Sequence, residues 1–170
     1  MDKSLKLKDI KREDIEREKL FKILKNESLR GKIIVGVAFL ESHLKNLLKK
    51  RFVDNKNLSG FIENIKFYHL IYLAYFVGCI SEEEKDDILL LNEIRNKFAH
   101  NWDLDLSDDN EIKEKIYKLQ VIKLTGATKT QIAANYDFII NSAVVLMDII
   151  LTRREDECEK IPQCKSYYPQ

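Results

Sequence analysis

One compact cluster of chemistry-bearing residues stands out: Arg95, Asn96 and His100, within the stretch LLLNEIRNKFAHN from Leu89 to Asn101. An imidazole exchanges protons near neutral pH, and a guanidinium offers a rigid planar fork to phosphate oxygens. On a helix, Asn96 and His100 lie about 40° apart around the axis and share a face. Arg95 sits one step beside Asn96, and its long side chain can swing toward the imidazole. On another face, Leu91, Ile94 and Phe98 follow the spacing of a buried stripe, with Ala99 small enough for close packing. Such an arrangement holds a polar cluster at fixed geometry, and it is also how a helix is capped.

The element carrying the cluster is the best specified in the chain. Ser81-Glu82-Glu83-Glu84 is a capping box, with Ser81 as N-cap and Glu84 three residues on. Acidic residues crowd the start of the expected helix (Glu82 to Glu84, Asp86, Asp87), and Arg95, Lys97 and His100 crowd its end, as the helix dipole favours. Periodicity predicts core helices over 28–53, 61–78, 81–100 and 131–153, a charged helix over 9–26 and a short one over 111–119. Ser28 caps the first core helix, whose buried face is Ile33, Val37, Leu40, Leu44 and Leu47. Gly31 and Gly36 weaken it by about 1 kcal/mol each relative to Ala, so a neighbouring helix is expected to approach closely there. Its end, Lys45 to Arg51, carries four cations, read as a solvated helix end in preference to a phosphate-facing patch.

The segment FYHLIYLAYFV, from Phe67 to Val77, is apolar almost all round and reads as a covered central helix with His69 buried inside it. DNKNLSG, from Asp54 to Gly60, is a turn, and Lys123 to Thr130 is a loop. Trp102 and Leu104, in the acidic loop from Asn101 to Asn110, are expected to fold back as plugs. The last helix is assigned the face Ile132, Tyr136, Ile139, Ala143, Leu146 and Ile150. The domain organisation expected is a charged N-terminal helix over 1–26, one helical core domain over 27–153 and a loose polar tail over 154–170. The fold class is therefore all-α, a single-domain bundle of five to six helices.

Composition sets the outer bounds. With 170 residues, 45% hydrophobic and 34% charged, the chain can bury one real core. Five Gly and two Pro are too few for a strand-and-turn architecture. A net charge of +1 gives no global pull toward nucleic acid or anionic membrane, so any basic surface must be local. Cys79, Cys158 and Cys164 form no CxxC pair, which points to a reducing cytoplasm and no metal framework. The N-terminus lacks the apolar core of a signal peptide. The longest apolar stretches fall short of the ~20 residues of a membrane span. Neither a Gly-rich phosphate loop, zinc spacing, a nucleophile elbow nor a helix-turn-helix is present, and no cofactor or metal is expected.

Two resemblances sharpen this. Glu27-Ser28-Leu29-Arg30-Gly31, Ala38-Phe39-Leu40-Glu41, Leu47-Leu48 and Phe52-Val53-Asp54 resemble the mannitol operon repressor (MltR) family. So do Tyr72-Leu73-Ala74-Tyr75, Gly78 to Glu84 and Ile94 to His100, in order and spacing from about residue 27 to 150. The resemblance implies a small all-helical regulator that affects transcription through other proteins, with no DNA-reading motif of its own. The shorter segment Arg95-Asn96-Lys97-Phe98-Ala99-His100 also resembles the motif of HEPN domains, many of which are metal-independent endoribonucleases that act as dimers. That reading makes Arg95, Asn96 and His100 catalytic. His100 would transfer protons at the ribose 2′-OH and the leaving 5′-oxygen, Arg95 would hold the phosphorane charge, and Asn96 would orient the imidazole or the phosphate. One histidine does not easily serve as both acid and base, so the mechanism demands a homodimer, and the chain could then be a toxin with a cognate inhibitor.

Three readings of the cluster stay open on the sequence. In the first it is structural: Arg95 pairs with an acid such as Glu41, His100 caps its helix, Asn96 bonds a carbonyl between Asn101 and Leu104, and the Trp102 loop is fastened. In the second the same surface binds a protein partner. In the third it cleaves RNA. The longer resemblance puts the regulatory, protein-binding role first.

Overall fold

The computed structural model describes residues 18, 20, 22–53, 55–104 and 109–162, and every regular element among them is helical. The elements are α1 (Leu29–Arg51), α2 (Leu58–Asn64), α3 (Phe67–Phe76), α4 (Glu82–His100), α5 (Asn110–Lys118), α6 (Gln120–Lys123), α7 (Lys129–Ala134) and α8 (Tyr136–Glu157). Residues 22–26 are also helical; the rest of the helix expected over 9–26 lies largely outside the described residues.

Ser28 caps α1 by accepting the Gly31 N–H at 3.1 Å. The expected stripe of Ile33, Val37, Leu40, Leu44 and Leu47 is fully buried, and Gly36 and Leu48 are buried beside it. The wider band exists because α1 is the central helix, packed most extensively against α8 and next against α4. Along the α1–α8 seam, Lys32 meets Asp137 at 2.6 Å, His43 meets Asp148 at 3.5 Å and Lys50 meets Glu155 at 2.8 Å. Numbers rise together on both helices, so the pair runs parallel. Against α4 the order reverses: Arg30, at the start of α1, reaches the end of α4. The two flanking helices close a common core in which Leu40, Leu44, Leu70, Ile71, Ile88, Leu91, Ile94, Ile140 and Met147 are fully buried, each side chain contributing about 1.5–3 kcal/mol.

Two expected helices are broken. In place of one helix over 61–78, α2 and α3 are separated by extended backbone at Ile65 and Lys66, with ψ of 132° and 140°. Ile62 and Phe67 would lie about 140° apart on a continuous helix, yet both belong to the core cluster, and the break turns both inward. In place of one helix over 131–153, α7 ends at Asn135, whose side chain caps α8 by accepting the Phe138 N–H at 3.0 Å. The break rotates the buried face. Ile140, Val144, Met147, Asp148 and Leu151 are covered, whereas Leu146 and Ile150 are only half-buried. The region expected as a loop over 123–130 is partly helical, and α8 continues to Glu157, past the expected start of the tail.

Other expectations change with tertiary context. α3 is covered on one side only: Phe67, Leu70, Ile71 and Ala74 are buried, while Tyr68, His69 and Phe76 are exposed. His69 is thus a surface residue, not a core histidine. Trp102 is 86% exposed, so only Leu104 folds back onto the core. Ala99 is exposed as well. The cations at the end of α1 are paired, although Lys50 stays exposed to solvent as expected: Lys45 and Lys49 reach Glu63, Lys50 reaches Glu155, and Arg51 donates to the Val77 and Glu159 carbonyls.

The two glycines of α1 differ. A Cβ on Gly36 would lie 2.8 Å from both Val144 methyl carbons, the close approach of a neighbouring helix. A Cβ on Gly31 would meet the flexible Glu27 side chain of its own segment instead. Gly60, in α2, faces open space. Gly36→Ala is therefore expected to cost about 1–3 kcal/mol by overpacking, and Gly60→Ala to stabilise by about 0.5–1 kcal/mol. Urea unfolding of the two variants checks both signs.

Candidate functional site

α4 is fixed at both ends and along its length. At its start the capping box is complete: Ser81 Oγ accepts the Glu84 N–H at 3.3 Å, and Glu84 accepts the Ser81 N–H at 2.8 Å. Glu84 also holds Arg154 of α8 at 2.8 Å. One turn on, buried Asp87 accepts the N–H groups of Gln120 and Val121 at 2.7 and 2.6 Å, which caps α6. Burial pushes the Asp87 carboxyl above the usual range, opposed by those two hydrogen bonds.

At the other end, the last carbonyls of a helix lack partners within it. Arg30, from the first turn of α1, supplies them. Its guanidinium donates to the carbonyls of Phe98, Asn101 (2.7 Å) and Trp102 (2.8 Å) and lies 5.8 Å from the Phe98 ring centroid. The fastening assigned from sequence to Asn96 and His100 thus belongs to Arg30, because its rigid fork spans several acceptors at once.

The motif residues therefore divide. Arg95 does find Glu41, but loosely, at 3.9 Å, and Glu41 is shared with Lys45 at 3.1 Å. Asn96 is half-buried and makes no side-chain hydrogen bond to a described residue. His100, the last residue of α4, is exposed, with no hydrogen bond or ion pair to a described residue. Between them, Lys97 is structural. It holds Asp109 at 2.7 Å and Glu111 at 2.6 Å, and so ties the start of α5 to α4. The hydrogen bonds raise the Lys97 pKa, and the Lys97 ammonium holds both carboxyls below their usual range. Chemically, this end of α4 presents an open imidazole, with Arg95 and its acidic neighbour Glu41 about one turn and more back along the helix. Among the described residues, no group of three or more His, Cys, Asp or Glu side chains is placed to hold a metal ion.

Sequence reasoning missed two polar features. Arg30 lies 68 residues from Phe98, and no local pattern links them. His43 and Asp148 meet across the α1–α8 seam, with the imidazole tilted against Phe39 at 4.7 Å between ring centres. An acid in the middle of the apolar stretch Phe138 to Leu151 was the available signal for that pair.

Two outcomes follow from this geometry. Arg30→Ala is expected to cost about 2–3 kcal/mol, because three carbonyls lose a charged donor, and Arg30→Lys to restore little of it, since an ammonium cannot span the three acceptors. Arg95→Ala costs below about 1 kcal/mol, as a loose and partly exposed pair should; chemical denaturation ranks the three. The Asp109 and Glu111 carboxyls have depressed pKa values in the folded state, so their contribution is full above the unfolded value near 4 and is lost as pH falls through the lower folded value. Lys97→Met is accordingly less stable than wild type at pH 7, and a stability–pH series shows a shallower decline between about pH 4 and pH 2.

No protein-family model matches the chain, and a search of curated proteins finds no match either. Among solved structures the chain is similar to MtlR in the X-ray structure of the MtlR–HPr complex from Escherichia coli. The TM-score is 0.57 at 19% sequence identity, over 82% of this chain and 97% of that one. At this identity the likeness establishes the fold: a single-domain helical bundle of the MtlR kind.

Proposed function

We propose that this chain is a cytoplasmic regulatory protein that influences transcription indirectly, by engaging a protein partner, with no DNA-binding motif of its own. The observation that carries this reading is the shared fold with MtlR, a protein solved in complex with HPr. Two features support it. The net charge of +1 offers no electrostatic footprint for a long nucleic acid. The exposed face of α3 presents Tyr68, Tyr72 and Phe76 at i, i+4 and i+8, with neighbouring ring centres 5.0 and 5.9 Å apart. Phe76 is 74% exposed and Tyr68 51%. Tyr72 between them is half-buried, and a row of aromatics with exposed ends is of the kind enriched at binding surfaces. In this reading the chain works as a homodimer displaying that face to its partner.

One observation favours a second reading, a metal-independent endoribonuclease using Arg95, Asn96 and His100. The His100 imidazole is exposed and unengaged by any described residue, as a proton-transfer group must be. The Glu41 carboxylate beside Arg95 weighs against it, since it offsets the positive charge that a phosphorane would need.

Binding and cleavage separate the two. Titration of purified HPr into the chain, together with affinity capture from the source cell identified by mass spectrometry, is expected to give saturable binding of a protein. Phe76→Glu should weaken that binding at least tenfold, with a melting temperature near that of wild type. Absence of any bound protein overturns the regulatory reading. Cleavage of total RNA in EDTA by wild type, lost in a folded His100→Ala variant, would put the ribonuclease in its place.

A further inference from the structure

We propose that Cys79 and Cys158 form a thiol–disulfide exchange site that takes a low-molecular-mass disulfide and closes into an intramolecular disulfide. The two residues are far apart in sequence, yet they line one open cavity of about 220 Å³ together with Arg51, Gly78, Arg154, Glu157 and Glu159. Cys79 is 5% exposed and follows Gly78, which turns the chain with a φ of 71°. Its N–H donates to the Ala74 carbonyl at 2.8 Å. Cys158 is half-buried and ends α8, so it is the thiol within reach of a small molecule. Both are free thiols, and Cys158 Sγ points a weak hydrogen bond at the Leu47 and Glu159 carbonyls, each at 3.9 Å.

The surroundings hold the two in place. Arg51 donates to the Val77 carbonyl at 3.1 Å on the Cys79 side and to the Glu159 carbonyl at 2.8 Å on the Cys158 side. The Ile161 N–H returns to the Arg51 carbonyl at 2.7 Å. One guanidinium therefore bridges the two backbone segments that carry the sulfurs. Both cysteines sit at segment ends, a turn and a helix C-cap, where backbone shifts can bring the two thiols of one cavity to bonding distance.

The order of events follows from exposure. The Cys158 thiolate attacks one sulfur of the disulfide RSSR, forming Cys158–S–S–R and releasing one RS⁻, which takes up a proton as RSH. The Cys79 thiol then loses its proton and attacks the Cys158 sulfur. The Cys79–Cys158 bond forms, the Cys158–SR bond breaks, and a second RSH leaves. Two electrons pass from the protein dithiol to RSSR, and the balance is dithiol plus RSSR to protein disulfide plus two RSH. Burial and the neighbouring Cys158 sulfur push the Cys79 thiol up to about 12, opposed by the Arg51 charge. The second step is therefore the slower one, and it speeds up as pH rises. The bond closes a chain loop of about 80 residues, a length at which a cross-link restrains the unfolded chain strongly.

The test uses the full chain and oxidised glutathione, with Cys158→Ser and Cys164→Ser as variants. Expected are the loss of two thiols per chain, a Cys79–Cys158 peptide on non-reducing mass mapping, and a melting temperature raised by roughly 5 °C or more that dithiothreitol reverses. Cys164→Ser retains all three results, and Cys158→Ser loses all three. A Cys158–Cys164 peptide, glutathione held on Cys158 without resolution, or no loss of thiols in the folded protein would each overturn the proposal.

Discussion

The contact on which the rest of the structure depends is the parallel seam between α1 and α8 at Gly36. With only hydrogen on its Cα, Gly36 lets Val144 come closer than any other residue would allow. That approach brings α8 along the full length of α1. The polar residues of the seam then fall into register, from Lys32 and Asp137 at one end to Lys50 and Glu155 at the other. A glycine in mid-helix weakens the isolated helix. Here tertiary packing outweighs that penalty, because α1 is covered on two sides and buries seven residues.

The ends of the long helices are then fastened by arginines acting on carbonyl groups. Arg30 holds the C-terminus of α4, and Arg51 holds the turn before α4 together with the segment after α8. Both use the planar fork to collect acceptors that helix geometry leaves unpaired. These contacts position the two ends of α4 differently. Its start is tied to α8 and α6 through Glu84 and Asp87, whereas its end carries His100 into solvent beside an exposed Trp102. The rigid helix thus delivers an open polar edge, while the aromatic face of α3 supplies an open apolar one. Both edges are carried by a helical bundle of the MtlR kind.

The candidate cluster was only half legible. Helical spacing placed Arg95, Asn96 and His100 on one element, and Glu41 was correctly nominated as the partner of Arg95. The capping role given to His100 and Asn96 was not found, because a better donor arrives from 68 residues away. The covered helix inferred around His69 failed for a related reason. Hydrophobicity all round a segment reports its capacity to be buried, but only the number of neighbouring helices decides how much of it is. α3 has neighbours on one side, so Tyr68, His69 and Phe76 remain outside.

By itself, the sequence determined what local physics controls. The Ser28 cap, the Ser81–Glu84 capping box, the buried stripe of α1 and the stripe Leu91, Ile94 and Phe98 all depend on interactions within one or two turns, and all are present. The tertiary structure decided what depends on distant partners. It broke the helices at Ile65 and Asn135 so that both halves could face the core, and it set the rotation of α8. It also chose Arg30 over His100 as the cap of α4 and brought Cys79 beside Cys158. Backbone carbonyls, thiols and charges far apart in the chain carry no periodic signal, so their pairing becomes visible only once packing has brought the helices together.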